Sequence, residues 1–310
     1  MPFVFYVLLA VAVLLLISGG YTFYAACVRR KELPWLVEEK LKKTSYGKYY
    51  KYIRYSDTYL KEHNAQDVSL ISFDGLKLSG TWLEAENPKG TIILAHGYRS
   101  CKLVEFSMVL DFYRSYGLNL LLPDQRAHGK SEGRIITFGV KECRDMRRWI
   151  EWVNHKTKLP IILSGLSMGA STMLFLADEE LPDNVKGIIA DCGFTSPWDI
   201  ISCVFHNVTH LPAAPSLWIA ELFARIFGGF SLRQKNTKEV LKNSKLPVLM
   251  VHGLDDSFVP CEMTKQGFDA CTGEKEIFLV EGADHGLSFL KESQRYKEKV
   301  LAFLDRNLEA

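Results

Sequence analysis

Six short apolar runs, each closing on glycine or a polar turn, recur along the chain: GTIILAHG, LNLLLPDQR, LPIILSG, VKGIIADCG, LPVLMVHG and EKEIFLVEG. Runs this short and this apolar read as strands buried on both faces. Helix-length segments separate them, at Lys102–Tyr116, Phe138–His155, Ser167–Glu180 and Glu262–Cys271. The alternation predicts a mostly parallel sheet with helices on both faces. Ahead of it, DVSLISF and LKLSGTWLEA flank Asp74-Gly75. That is a hairpin signal, and it adds two antiparallel strands at one edge. The expected architecture is α/β with eight strands, and 310 residues suffice for it.

In such a sheet the reactive loops gather at the carboxyl ends of the strands. His96-Gly97-Tyr98 follows the first run and Asp124-Gln125-Arg126 the second. Gly165-Leu166-Ser167-Met168-Gly169 follows the third, Asp255-Asp256 comes soon after the fifth, and Asp284-His285 after the sixth. A serine hydroxyl is a weak nucleophile that needs a base and donors for the oxyanion it creates. A tight strand-to-helix turn lifts its oxygen clear of the sheet, and glycines two residues either side relieve the crowding. GLSMG after IILS has that form. Histidines and acids sit singly on loops, without His-x-x-x-His spacing, so no metal site is expected. No phosphate-cradling or dinucleotide glycine pattern occurs, and no cofactor is expected. The net charge of +2 and the lack of a basic run among aromatics give no sign of nucleic-acid binding. Seven scattered cysteines suggest buried thiols rather than a disulfide framework.

From about Asp67 to Leu308 the chain resembles an α/β-hydrolase. The residues that carry the likeness are HGYRS at 96–100, DQRAHGKSEG at 124–133, TFGVKECRD at 137–145, GLSMG at 165–169, HGLDDSFVP at 252–260 and GADHG at 282–286. It looks closest to bacterial serine hydrolases of the serine-aminopeptidase and prolyl-oligopeptidase-like branches, some of which carry a single N-terminal anchor. The resemblance implies Ser167 as nucleophile, His285 as general base and Asp256 as the acid orienting it. It implies an oxyanion hole from the backbone N–H groups of Tyr98 and Met168. Val259-Pro260 selects Asp256 over Asp255, and Asp284 reads as a solvated loop carboxylate. His96, His128 and His252 read as architectural, and Asp124 and Arg126 as a pair bracing their loop. Ala127 stands where the family often has glycine.

Phe3 to Ala26 carries no charge, and Arg29, Arg30 and Lys31 follow at once. About 20 apolar residues cross a bilayer core as a helix. Residues 1–27 therefore read as a transmembrane anchor at the cell membrane. The Lys and Arg of the following segment, Lys40, Lys42, Lys43, Lys48, Lys51 and Arg54, predict a cytoplasmic catalytic domain. Residues 28–66 form a basic helical linker, either lying on anionic headgroups or packed on the domain. Residues 67–310 form the catalytic domain, with a cap inserted at about 195–240. The cap is apolar: Trp198, Phe205, Trp218, Phe223 and Phe227 are candidates to line an acyl pocket. An apolar cap over a serine favours a carboxylic ester with a hydrophobic acyl or aryl group, either a small molecule or a lipid, cleaved through an acyl-enzyme. A peptidase or thioesterase of the same fold is an alternative, for which the cap offers no clear acid to anchor an amine beyond Asp199 and Glu221. A silent relative binding a ligand or partner is the other, and retention of all three triad positions favours the enzyme.

Overall fold

In the computed structural model, which describes residues 2–31, 33–43, 47 and 49–308, one long helix precedes the sheet. This is α1 (Pro2–Cys27), followed by α2 (Glu38–Leu41) and α3 (Tyr50–Glu62). The hairpin β1 (Gln66–Ile71) and β2 (Lys77–Leu83) leads to β3 (Gly90–Ala95), α4 (Lys102–Glu105), α5 (Leu110–Tyr116) and β4 (Leu118–Pro123). Next come α6 (Glu142–Lys156), β5 (Ile161–Leu166), α7 (Met168–Leu174) and β6 (Val185–Asp191). The insertion holds α8 (Pro197–Thr209), α9 (Ala214–Phe223), a π-turn at Ala224–Gly228 and α10 (Thr237–Leu241). The chain closes with β7 (Val248–Gly253), α11 (Cys261–Ala270), β8 (Lys275–Val280), α12 (Ser288–Lys291) and α13 (Ser293–Leu308).

The eight strands lie in the order β1-β2-β4-β3-β5-β6-β7-β8. β2 pairs antiparallel with both β1 and β4, and the remaining pairs are parallel. From β3 the chain first steps outward to β4, then crosses back to β5 on the other side. The strand order therefore reverses at β3 and β5, where a crevice opens at the carboxyl edge.

Alternate residues of each central strand feed two cores, because side chains on a strand point to opposite faces. Ile93, Leu121, Leu163 and Ile188 pack with Trp149 and Met173 on one face. Ile92, Leu120, Ile162 and Ile189 pack with Tyr113 and Phe303 on the other. The segment read as one helix over Lys102–Tyr116 is broken into α4 and α5, with Phe106 and Val109 turned into the second core.

Helix α3 buries Ile53, Ser56, Tyr59 and Leu60 against the domain. Lys40, Lys42, Lys43, Lys51 and Arg54 stay exposed, while Lys48 lies outside the described residues. Packing and a basic outer face thus coexist in this linker.

Helix α1 has two halves. Phe3 to Leu14 are exposed on every side. From Ser18 onward the helix packs on α9. Ser18 Oγ and Ser216 Oγ are 2.8 Å apart, and Phe23 meets the rings of Phe223 and Phe227 at 6.1 and 6.3 Å. Gly19 makes the approach feasible, since a Cβ there would sit 2.3 Å from Cβ of Ile219. The base of α1 is tied to the domain as well. Ile136 N–H donates to the Cys27 carbonyl at 2.7 Å, and Val28 bridges to Ile135. The Tyr98 hydroxyl donates to Ala26 O at 2.7 Å, and Arg99 Nη2 donates to the carbonyls of Ala25 (2.7 Å) and Val28 (3.0 Å). These donors occupy carbonyls that a helix end leaves without partners, and Arg99 carries the charge sign the end favours.

Candidate active site

Ser167 sits between β5 and α7 with φ 56° and ψ −117°, strained for any residue but glycine. The neighbouring glycines are forced by close approach. A Cβ on Gly165 would lie 2.3 Å from the Gly169 carbonyl carbon, and one on Gly169 would lie 1.9 Å from Ala95 O. The turn therefore presses against the end of β3. Ser167 is only 4% exposed.

His285 arrives on the loop after β8 and Asp256 on the loop after β7. His285 Nε2 lies 2.9 Å from Ser167 Oγ, and its Nδ1 lies 2.7 Å from Asp256 Oδ2. A carboxylate only accepts, so Nδ1 carries the proton and Nε2 is left to accept from the serine hydroxyl. Asp256 is well supplied with donors: Phe258 N–H and Val259 N–H reach Oδ1 at 2.9 and 2.8 Å, and His252 Nε2 lies 3.1 Å from Oδ2. Burial alone would raise this carboxyl. Hydrogen bonds from His252 and His285, the charge of His285 and the Val259 N–H outweigh it and hold the group well below the usual carboxylate range.

The neighbours do more than their sequence reading says. Asp284 is an exposed loop carboxylate, as expected, and its Oδ1 also accepts from Ser257 N–H, Ser257 Oγ and His285 N–H, within 2.8 to 2.9 Å, and so ties the two loops together. His252 is architectural, as expected, but what it braces is Asp256. Asp124 and Arg126 do not pair. Asp124 meets Lys102 at 3.0 Å, whereas Arg126 forks onto Asp145 at 2.6 and 2.7 Å and onto Asp74 at 3.0 Å. Asp145 and Asp74 are remote in sequence, which hides this cluster from local reading. His96 and His128 do link loops: Gln125 N–H donates to His96 Nε2 at 3.1 Å, and Arg99 N–H to His128 Nε2 at 2.9 Å. Burial lowers these imidazoles, to about 4 and about 3. Ala127 holds the left-handed φ of 60° that glycine would take.

Three groups near Ser167 escaped the sequence reading. Glu105 accepts the Gly97 N–H at 2.5 Å beneath the loop after β3, and burial raises its carboxyl to about 7. Asp191, at the end of β6, accepts the Ser167 N–H through its backbone carbonyl at 2.8 Å; burial raises its side chain to about 6. Cys192 brings its sulfur within 4.8 Å of the ligating atoms of Asp256 and His285. Burial pushes that thiol well above its ordinary value, so it stays protonated and uncharged.

Two cavities meet at Ser167. The first, about 460 Å³ and strongly apolar, runs under the cap; Phe138, Phe194, Ile201, Val204 and Phe205 line it, and α1 closes one side. The second, about 410 Å³, is more polar and includes Arg99, Ser100, Glu105, Phe258 and His285. Of the five aromatics expected to form a pocket, Phe205 lines the apolar cavity. Trp198 lies instead under the Arg233 guanidinium, with the carbon 3.6 Å from its ring centre. Phe223 and Phe227 pack on Phe23 of α1, and Trp218 is 60% exposed. The reason is that α9 spends its inner face on α1 rather than on the cavity. Asp199 is bound to Thr195 Oγ1 and Ser196 Oγ at the cap of α8, and Glu221 is bound to Arg225, Ser231 and the Leu232 N–H. Neither acid lines either cavity.

A family model described as alpha/beta hydrolase fold matches residues 90–208. An uncharacterized protein of Bacillus subtilis, YqkD, is 28% identical over 233 residues, 74% of this chain and 76% of its own. An uncharacterized membrane protein of Saccharomyces cerevisiae is 23% identical over 231 residues, 73% of this chain and 75% of its own. Among solved structures, the Pyrococcus furiosus esterase Pf2001 superposes with a TM-score of 0.65 at 24% identity, covering 80% of this chain and 96% of that one. An acylaminoacyl peptidase of Pyrococcus horikoshii superposes at 0.59 and 18% identity, over 79% of this chain and 41% of that one. The strand order, the serine turn and these likenesses agree on one architecture: the chain has the α/β-hydrolase fold.

Proposed function

We propose that this protein is a serine hydrolase that cleaves carboxylic esters with hydrophobic acyl or aryl groups, using Ser167, His285 and Asp256. The observation that carries the reading is the continuous chain from Ser167 Oγ through His285 to Asp256, at 2.9 and 2.7 Å. His285 Nε2 takes the hydroxyl proton as Oγ attacks the ester carbonyl carbon. The carbonyl oxygen becomes an oxyanion, held by the N–H groups of Met168 and Tyr98. Met168 opens α7, so its N–H has no acceptor within the helix. The carbon–oxygen bond to the alcohol then breaks, and His285 returns the proton to the departing alkoxide. Water, deprotonated by the same imidazole, releases the acid and restores the serine. Asp256 remains ionised throughout and stabilises the imidazolium.

The apolar cavity suits the acyl half and the polar cavity the alcohol half. Engagement of Asp199 and Glu221 in the cap weighs against an aminopeptidase, because neither is available to hold a substrate amine. Fluorophosphonate labelling and a screen of aryl esters test the proposal. Wild type should label and turn over; Ser167→Ala should do neither. Asp256→Asn should label slowly and lose at least about 10³-fold in kcat, by favouring the wrong tautomer of His285. Unlabelled wild type that is nonetheless folded would leave the silent-binder reading in its stead.

A further inference from the structure

Residues 200–220 contain no Asp, Glu, Lys or Arg. They form most of α8, the turn after it and most of α9. Val208, Leu211 and Trp218 project from this stretch, between 60% and 74% exposed. The exposed apolar face is continuous with α1, because α9 runs alongside it in the same direction: Ser18 meets Ser216, Gly19 meets Ile219, and Phe23 meets Phe223 and Phe227. Phe3–Cys27 is long and apolar enough to cross a membrane. About 20 residues fill the hydrocarbon core. Counted from Phe3, that reaches the level of Ser216 and Ile219, and Arg29, Arg30 and Lys31 mark the polar boundary just beyond. The tip of the cap then lies at bilayer depth.

Helix α1 is also a wall of the apolar cavity. Thr22, Ala25 and Ala26 line it, with Ser167 at its inner end. Tyr21 on α1 and Val208 and Leu211 beyond it line the same cavity and are exposed, so its mouth opens between α1 and the end of α8. Resting on the serine-hydrolase reading, we propose that the substrate is a long-chain acyl ester dissolved in the bilayer. Its acyl chain enters sideways through this mouth without crossing water. Every methylene that passes through water costs free energy, and a mouth flanked by apolar side chains at membrane depth avoids that step. The ester carbonyl stops at Ser167 and the alcohol half turns into the polar cavity, beside Arg99 and Glu105.

The test uses the full chain in phosphatidylcholine vesicles with 4-methylumbelliferyl oleate and 4-methylumbelliferyl acetate, which share one leaving group. Oleate cleavage should follow the mole fraction of ester in the bilayer at fixed bulk concentration. Ala25→Trp, which fills the wall, and Val208→Asp, which charges the mouth, should each lower the oleate-to-acetate rate ratio by at least about tenfold. Labelling by a small fluorophosphonate checks that the serine turn is intact in each variant. A ratio unchanged in labelled variants, or an oleate rate set by bulk concentration alone, overturns lateral entry. Acetate cleavage by wild type without oleate cleavage overturns lateral entry while leaving the hydrolase reading standing. Neither cleavage nor labelling of wild type brings down both.

Discussion

At the scale of single residues, the serine turn was legible because its constraints are local. Gly165 and Gly169 are required by backbone atoms one turn or one strand away, and the pattern GLSMG after IILS records that requirement directly. Glu105 was not legible, since nothing in KLVE marks that its one carboxylate will fold beneath the loop after β3. Its chemistry is testable. Burial raises Glu105 to about 7, although the Gly97 N–H and the charge of His285 pull the other way. The folded protein thus holds a proton that an ordinary glutamate releases near ~4.3. The associated stability is complete below that value and is lost as pH rises through about 7. Glu105→Gln keeps an oxygen for the Gly97 N–H and removes this titration. Melting temperature between about pH 5 and 8 should therefore fall less steeply in the variant. Asp191, raised to about 6, retains a slope of the same sign. Superimposable profiles for variant and wild type would contradict the assignment.

At the scale of elements, strands were read more accurately than helices. The apolar runs are buried on both faces, so their length and their glycine ends announce them. Helix α9 is apolar around most of its circumference, and a sequence of that kind does not say which side finds a partner. The aromatics were accordingly assigned to a pocket when two of them face α1. The serine turn offers a stability prediction at this scale, because β3, β5 and α7 meet there. Gly169→Ala forces a methyl to within 1.9 Å of Ala95 O, and backbone cannot yield as a side chain can. A loss of roughly 3 kcal/mol, or a Tm lower by about 6–12 °C, is expected in thermal melts. Gly75→Ala, where nothing lies within 4 Å but φ is 89°, should cost about 1 kcal/mol through backbone strain alone.

At the scale of the whole molecule, the first helix and the catalytic body share surfaces that a tether would not need. An unbroken apolar run looks the same whether lipid or protein will surround it, so the sequence marked α1 as a candidate span and left its second half unexplained. In the fold that half packs on Ser216, Ile219 and Phe223 and closes the cavity. A truncated chain lacking residues 1–27 should therefore not behave as a freed soluble enzyme. It loses the partner of α9 and the Ala25 and Ala26 carbonyls that Arg99 and Tyr98 bind. Ester turnover should drop by at least about tenfold, with α9 becoming sensitive to protease. Full activity of the truncated chain on short esters would show that the helix contributes nothing to the site.

The grip of Tyr98 and Arg99 on the last carbonyls of α1 leaves no swivel at that junction. Rod and body must lean together. A lipid layer that sets the inclination of the rod would then also aim the mouth beneath the cap, and membrane thickness would become a dial on how readily that mouth meets its chains.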